Sequence, residues 1–289
     1  MHIYRTNEPM KLHTTFRIGG PADVYAEPES AEELMELISV CEGSGTPYMI
    51  LGHGSNLLVG DGGIRGTVIC LGKAFAEIRV DGDCIEAQAG ALLGAVASTA
   101  LEHGLAGMEF ASGIPGSVGG ALVMNAGAYG GEIKDILESA EILETDGSRC
   151  VVTAEELELG YRTSNILPLG RTVLSARFRL KPGDPEEIAA KMKDLNGRRK
   201  DKQPLEYPSA GSTFKRPEGY FAGKLIEDAG CKGLTVGGAR VSEKHAGFVI
   251  NIGDATAKDV LDLIHEVQRR VLEQSGVMLE PEIKMTGEP

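Results

Sequence analysis

The sequence predicts a mixed fold of α-helices and short β-strands that is divided among more than one domain. The chain has 289 residues, which is long enough for two or three domains of ordinary size. Strand and helix patterns follow one another along the chain, and 39 glycines mark frequent turns between them. Pro204 and Pro208 interrupt these patterns, and we expect a domain boundary in the linker formed by residues 203–209.

Short apolar runs bounded by turn residues predict the strands. They cover residues 24–27, 48–51, 67–71, 78–80, 84–89 and 172–180, a hairpin over residues 138–145 and 150–153, and a short strand within residues 241–252. The first two strands and the helix between them indicate a βαβ-like unit. Residues 277–283 are expected to be extended.

Apolar residues at helical spacing, with capping residues at the ends, predict the helices. One begins at Ser30, which forms a capping box with Glu33, and the others cover residues 92–103, 184–202, 221–230 and 256–274. We interpret the basic end of the helix over residues 184–202 as a solvated end that complements the helix dipole. It comprises Arg198, Arg199, Lys200 and Lys202.

The composition is that of a soluble globular protein and excludes several classes of partner. A net charge of −13 disfavours general binding to nucleic acid or to anionic membranes. The five cysteines are odd in number and widely spaced, which favours isolated thiols in a reducing compartment over a disulfide framework or a zinc site. The start of the sequence lacks the apolar core of a signal peptide, and no apolar run is long enough to span a bilayer. We therefore expect a cytoplasmic protein without a metal.

The stretch GIPGSVGGALVMNAGAYGG, residues 113–131, is the most unusual in the chain, because seven of its nineteen residues are glycine. Glycine is costly in ordered structure, so this density indicates positive φ angles or a close approach of the backbone to another group. Exposed backbone N–H groups suit a phosphate or the edge of a planar cofactor. A tight packing corner between a loop and a sheet explains the pattern equally well. Within the stretch, residues 121–124 predict a short buried strand.

A second glycine-rich loop lies in LGHGSNLLV, residues 51–59. It lacks the third glycine of a dinucleotide-binding fingerprint, since Leu57 stands there, and a strand rather than a helix follows it. The backbone amides of residues 52–56 remain suited to a pyrophosphate. We interpret His53 as a residue at the solvent edge rather than as a ligand or a flavin attachment point.

Three stretches place a polar reactive group among small or aromatic residues: YRTS with Arg162, GSTFK with Ser212 and EPE with Glu282. Ser212 lacks both the partner pattern of a catalytic triad and a nucleophile elbow, so it suits proton donation better than acyl transfer. An arginine suits bidentate binding of a carboxylate, and a buried glutamate can share protons with such a site. From these residues alone, a turn serine, a surface ion pair and an exposed acid remain open interpretations.

Seven segments together identify a family. They are LGHGSNLLV, GIPGSVGGALVMNAGAYGGE, YRTS, PSAGSTFKRP, FAGKLIEDAG, GGARVSEKHAGFVIN and LEPEI, and the similarity that they mark covers residues 14–283. In this order they resemble the UDP-N-acetylenolpyruvoylglucosamine reductase family. The resemblance implies an α+β fold with a two-part FAD-binding module of the vanillyl-alcohol-oxidase (PCMH) type and a C-terminal α+β substrate-binding domain. The expected boundaries are 1–72 and 73–202 for the two FAD-binding parts and 203–279 for the substrate domain, with residues 280–289 as a strand that is a candidate to pack on the first part.

The resemblance implies a flavin-dependent oxidoreductase of peptidoglycan synthesis, with non-covalent FAD and with NADPH as co-substrate. NADPH reduces FAD, flavin N5 delivers a hydride to C3 of the enolpyruvyl group, and an acid protonates C2 to give UDP-N-acetylmuramate. In this scheme Arg162 binds the enolpyruvyl carboxylate and stabilises the enolate, Ser212 donates the proton, and Glu282 completes the carboxylate site. The residue types fit, because hydride addition creates negative charge that must be held and then neutralised.

The family motifs also imply the binding residues. The FAD contacts are expected at Gly52, His53, Gly54, Ser55, Asn56, Leu57, Gly113, Ile114, Pro115, Gly116, Ser117, Gly119, Gly120, Asn125, Ala126 and Gly127. The substrate contacts are expected at Tyr161, Lys215, Arg216, Lys224 and His245. Arg216 stands where many members carry asparagine, and His53 stands where glycine or asparagine is common, so contacts at these two positions are open.

The short segment between Arg162 and Ser212 leaves too little room for the tyrosine loop of one subtype, which indicates the shorter subtype. Two alternatives remain at the level of the sequence. One is another flavoprotein of the same fold that oxidises a hydroxy compound, and the other is a non-catalytic regulator that binds flavin or a UDP-sugar. A monomer is expected.

Overall fold

The computed structural model describes residues 3–289. The described chain divides into two compact units. The first comprises Ala26–His53 and Val68–Arg199 together with residues 3 and 4, and the second comprises Arg5–Tyr25, Gly54–Thr67 and Lys200–Pro289. Each unit is therefore built from several separate segments of the sequence. The three-part division expected from the family resemblance stays a prediction.

The strands are short, and most follow the predicted apolar runs. In chain order they are β1 (Ile3–Pro9), β2 (Pro21–Glu27), β3 (Tyr48–Leu51), β4 (Leu57–Val59), β5 (Ile64–Cys70), β6 (Ile78–Asp81), β7 (Cys84–Gln88), β8 (Leu105–Ala106), β9 (Gly127–Ala128), β10 (Gly131–Glu132), β11 (Leu137–Leu143), β12 (Arg149–Thr153), β13 (Thr172–Arg179), β14 (Lys181–Pro182), β15 (Thr235–Val236), β16 (Ala239–Val241), β17 (Val249–Asn251) and β18 (Lys284–Thr286).

The five predicted helices are present with small shifts of their ends, and a sixth helix, α3, was not predicted. In chain order the helices are α1 (Ala31–Ser44), α2 (Leu93–Glu102), α3 (Val118–Val123), α4 (Pro185–Lys202), α5 (Ala222–Asp228) and α6 (Ala257–Ser275). The Ser30 side chain accepts from the N–H of Glu33, which confirms the serine half of the predicted capping box, and the Glu33 carboxylate accepts from the N–H of Glu29. None of the helices within residues 3–289 is both long enough and apolar enough to cross a lipid bilayer.

A five-stranded antiparallel sheet forms the centre of the first unit, in the order β12-β11-β13-β7-β6. Its central strands pair Phe178 with Ile85 and Ala176 with Ala87, and all four side chains are buried. A second sheet has the order β1-β2-β5-β3, so β5 lies between the two strands of the predicted βαβ-like unit.

The second unit is organised around α6. Its buried stripe, Val260, Ile264, Val267 and Val271, packs in one core with α5 and the sheet β15-β16-β17. Thr256 and Asp259 form a capping box, and the Asp61 carboxylate accepts from the N–H groups of Ala257 and Lys258 at 2.8 and 3.0 Å. The exposed N–H groups of the first turn are thereby satisfied.

The strand predicted over residues 121–124 is wrong. This run belongs to α3, whose buried residues Ala121 and Leu122 pack in the core of the first unit beside β7 and β13. A short apolar run does not distinguish a buried strand from a buried helical turn. A glycine suits position 119 of this helix because the Cβ of any other residue would lie only 3.1 Å from the Cβ of Ala89.

Residues 277–283 form no regular strand, and Pro281 makes only an isolated bridge to Phe214. The strand in this region begins one residue later, because β18 pairs in parallel with β4. A parallel partner that is distant in the sequence leaves no turn signal for a sequence-based prediction.

We expect Thr256→Ala to lower the free energy of unfolding by about 1 kcal/mol, because the substitution removes the hydroxyl that caps α6. Urea unfolding followed by circular dichroism measures the change. Gln274→Ala, an exposed position near the other end of the same helix, is the matched control. Equal unfolding midpoints for the two variants would contradict the assigned role of the cap.

Candidate active site

In the first unit, Gly52 lies directly against Ser117. A Cβ on Gly52 would be 2.3 Å from the Ser117 hydroxyl oxygen, so only glycine permits this approach. Ser117 is 3% exposed, and its hydroxyl has no hydrogen-bond partner among the described residues. A buried hydroxyl without a partner costs free energy, which a ligand oxygen or ring nitrogen would recover. The pair therefore fits a polar cofactor held by the two glycine-rich loops.

The start of α3 is anchored to the segment that directly follows β7. The N–H of Val118 donates to the Ala91 carbonyl at 2.9 Å, and the N–H of Gly119 donates to the Ala89 carbonyl at 2.8 Å. These two amides are therefore used inside the protein. Gly119 contributes to the candidate site through its small size rather than through a free N–H group.

The end of α4 lies against the first glycine of the loop. A Cβ on Gly113 would lie 2.5 Å from Asn196 Oδ1 and 3.1 Å from Arg199 Cδ. The interpretation of a solvated basic end fits Arg198, which is exposed and paired with Asp194, but it is wrong for Arg199. Arg199 is half-buried, and burial lowers the pKa of its guanidinium.

Arg162 occupies the tip of a tight turn. Gly160 and Thr163 pair across that turn, and Arg162 has a φ of 57°, which is unusual for a residue other than glycine. Its guanidinium donates to the Gly127 carbonyl at 3.1 Å and lies 5.2 Å from the ring centre of Tyr161. Strained backbone of this kind concentrates at functional sites.

Asn125 supports this region from inside. Its side chain is fully buried, donates to Glu132 and to the Gly160 carbonyl, and accepts from the N–H of Lys134. All of these bonds are between 2.9 and 3.0 Å. The side-chain amide thus ties the turn that carries Arg162 to β10. A direct cofactor contact of Asn125 stays a prediction.

In the second unit, Gly54 has a φ of 64°, and a Cβ there would lie 2.1 Å from the His13 carbonyl oxygen. His53, at the end of the first unit, is exposed. Asn56 donates from its amide to the Glu282 carbonyl at 3.3 Å, and its own carbonyl accepts from the N–H of Lys284. One of the predicted loops therefore holds the segment that carries Glu282.

Main-chain hydrogen bonds bring the segments of Ser212 and Glu282 together. The N–H of Glu282 donates to the Thr213 carbonyl at 2.8 Å, and the N–H of Lys215 donates to the Glu280 carbonyl at 2.8 Å. Thr213 is 2% exposed, whereas Ser212 and Glu282 are half-buried. Ser212 makes no side-chain hydrogen bond within the described part of the chain, so its hydroxyl is open to a ligand.

The predicted substrate contacts of the second unit surround this ladder or lie on α5. Lys215 pairs with Glu280, and Arg216 stacks over the Phe221 ring at 3.9 Å. Lys224 is exposed and pairs with Asp228 one helical turn later. Their roles in substrate binding stay predictions, as do those of Tyr161 and His245.

Sequence reasoning missed one residue in each unit. Thr213 joins the segments of Ser212 and Glu282, and Arg199 lies against Gly113. Neither has a local signal, because each acts through a partner that is distant in the sequence. The position of Thr213 beside a candidate proton donor is the only hint that the sequence contains.

Known proteins resemble the chain throughout. Residues 22–153 match the FAD binding domain family, and residues 203–286 match the C-terminal domain family of UDP-N-acetylenolpyruvoylglucosamine reductase. The UDP-N-acetylenolpyruvoylglucosamine reductases of Agathobacter rectalis and of Caldanaerobacter subterraneus subsp. tengcongensis are 59% and 55% identical, over 98% of this chain and 93% of each relative.

A solved structure agrees with these relatives. The crystal structure of the Thermus caldophilus UDP-N-acetylenolpyruvylglucosamine reductase superposes with a TM-score of 0.85 at 40% identity, over 99% of this chain and 98% of that one. Together with the family matches, this structure confirms the expected α+β fold class, an FAD-binding module followed by a C-terminal substrate-binding domain.

We expect Gly52→Ala to weaken FAD binding by about tenfold or more, because forcing a methyl group into a packed site typically costs 1–3 kcal/mol. The added methyl would occupy the space in front of the Ser117 hydroxyl. Titration of the apoprotein with FAD, followed by flavin fluorescence, gives the dissociation constant. Gly43→Ala is the matched control, since a Cβ at that exposed position meets nothing within 4 Å. Unchanged FAD affinity in Gly52→Ala would remove this loop from the cofactor site.

Proposed function

The chain belongs to the UDP-N-acetylenolpyruvoylglucosamine reductase family, and we propose that Arg162, Ser212 and Glu282 carry out its chemistry. The protein is an FAD-dependent oxidoreductase that reduces the enolpyruvyl group of UDP-N-acetylglucosamine enolpyruvate in peptidoglycan synthesis, with NADPH as co-substrate. This assignment replaces both alternatives that the sequence alone left open. The observation that best supports the roles of the residues is the hydrogen-bond ladder that joins the segments of Ser212 and Glu282.

The two glycine-rich loops are the proposed holders of FAD. Gly52 and Ser117 fit this role, because one glycine makes room for a buried hydroxyl that lacks a partner. When bound, FAD supplies the hydride that reduces C3 of the enolpyruvyl group. The other residues of the loops position this pair or offer further backbone atoms.

Arg162 is proposed to hold the carboxylate of the substrate. Its guanidinium is fixed on one side by the Gly127 carbonyl and by the ring of Tyr161. Reduction at C3 leaves negative charge shared between C2 and the carboxylate. A fixed guanidinium stabilises that charge more than it stabilises the ground state, which lowers the barrier.

Ser212 is proposed to donate its hydroxyl proton to C2. The Ser212 oxygen then carries the negative charge and recovers a proton from solvent, so one hydride and one proton have been added across the double bond. Lys215, on the same segment, provides nearby positive charge. Glu282, brought to this segment by its bond to Thr213, completes the site for the carboxylate end of the substrate.

The remaining expectations are also part of the proposal. A reaction that consumes NADPH and a UDP-sugar fits a cytoplasmic enzyme, and the division at residues 1–72, 73–202 and 203–279 fits two FAD-binding parts and a substrate domain. A monomer is consistent with a site that one chain supplies. Arg216 is proposed to replace the asparagine of other members near the diphosphate.

We expect Ser212→Ala to leave the reduction of bound FAD by NADPH near the wild-type rate, and to slow reoxidation by the enolpyruvyl substrate on the order of 10²-fold. The two half-reactions are measured separately by stopped-flow absorbance of the flavin. Ser209→Ala, in the same loop, is the matched control. Equal reoxidation rates in Ser212→Ala and wild type would exclude Ser212 as the proton donor.

A further inference from the structure

His245 lies in the turn between β16 and β17. Its Nδ1 accepts a hydrogen bond from the N–H of Gly247 at 3.1 Å. The ring packs edge-on against Phe248, with ring centres 5.1 Å apart, and a Cβ on Gly223 would lie 3.3 Å from its Cε1. The half-buried imidazole is therefore held in one orientation, and the bond to Gly247 requires a neutral ring that carries its proton on Nε2.

The bond to Gly247 continues toward Ser212. The Gly247 carbonyl accepts from the N–H of Thr213 at 2.8 Å, and this N–H belongs to the peptide group that directly follows Ser212. Thr213 is held further by Val249, whose N–H donates to the Thr213 hydroxyl at 2.9 Å, and by Glu282. The orientation of Ser212 thus depends on where the turn places the Gly247 carbonyl.

We propose that neutral His245 is a positioning residue for Ser212: by accepting the N–H of Gly247 through Nδ1, it holds the Gly247 carbonyl at the peptide that follows the proton donor. This inference rests on the proposed role of Ser212. It differs from a substrate contact, because a substrate contact would use the opposite nitrogen, Nε2.

The electrostatic surroundings favour the neutral ring. Burial lowers the pKa of His245 below its usual value of 6.5, and the positive charges of Lys232 and Lys202 act in the same direction. The hydrogen bonding of the histidine itself and the charge of Glu227, which is paired with Lys232, act in the opposite direction. Protonation would place a second N–H at Nδ1, facing the N–H of Gly247, so the positioning bond exists above the lowered pKa and is lost as the pH falls through it.

Two substitutions separate the nitrogens. His245→Asn places an amide oxygen near the position of Nδ1, whereas His245→Gln places its amide near Nε2. In stopped-flow experiments on the FAD-loaded enzyme, we expect His245→Asn to reoxidise with the enolpyruvyl substrate near the wild-type rate. His245→Gln should be slower by about tenfold at saturating substrate, the loss that corresponds to one hydrogen bond. Reduction by NADPH should be unchanged in both variants.

Every other pattern overturns the inference. A slow Asn variant beside a normal Gln variant would indicate a contact through Nε2, and equal rates in the two variants, fast or slow, would show that an acceptor at the Nδ1 position is not what matters. Ser212→Ala tests the proposed function separately, so the two failures are distinguishable.

The wild-type enzyme provides a further test that needs no variant. The rate of reoxidation by the substrate should decrease as the pH falls through the lowered pKa of His245, whereas the rate of reduction by NADPH should not show this decrease. In His245→Asn the reoxidation rate should not decrease over this pH range. A wild-type reoxidation rate that stays constant through that range, or a decrease that persists in His245→Asn, would overturn the inference.

Discussion

The candidate site depends on one short stretch of paired backbone. Thr213 accepts from Glu282, Lys215 donates to Glu280, and Phe214 bridges to Pro281. These bonds hold together two segments that are distant in the sequence. One segment carries Ser212, the proposed proton donor, and the other carries Glu282. Because Thr213 is buried and also bonded to Gly247 and Val249, its position is over-determined. Such redundancy keeps a serine in place without any bond to its own hydroxyl.

The glycines of the first unit act mainly through close approach. Because these glycines have no side chain, Gly52 lies close to the hydroxyl of Ser117, Gly113 lies close to the end of α4, and Gly119 lies close to Ala89. A row of free backbone N–H donors was the simplest expectation for such a loop, yet the N–H of Gly119 is bonded within the protein. The space left by missing side chains therefore matters at least as much as the exposed amides.

The local elements were largely predictable, and the reasons for failure are specific. The ends of α1 and α6 follow from Ser30 and Thr256, because a capping hydroxyl acts on an amide three residues away. The run at residues 121–124 was misassigned, since burial alone is compatible with either a strand or a helix. The prediction that Arg199 is solvated was wrong because this side chain packs against Gly113, which lies outside the helix and is distant in the sequence.

The sequence by itself determined the capped helices, most strands, the glycine-rich loops and the family, because these depend on residues that are close together in the chain or on motifs in a given order. The tertiary structure alone decided which nitrogen of His245 accepts a hydrogen bond and which glycines lie in close contact with another segment. It also decided that Thr213 joins the segments of Ser212 and Glu282. These features depend on the register in which distant segments pair. A shift of that pairing by one residue would change every such contact while leaving each local pattern intact.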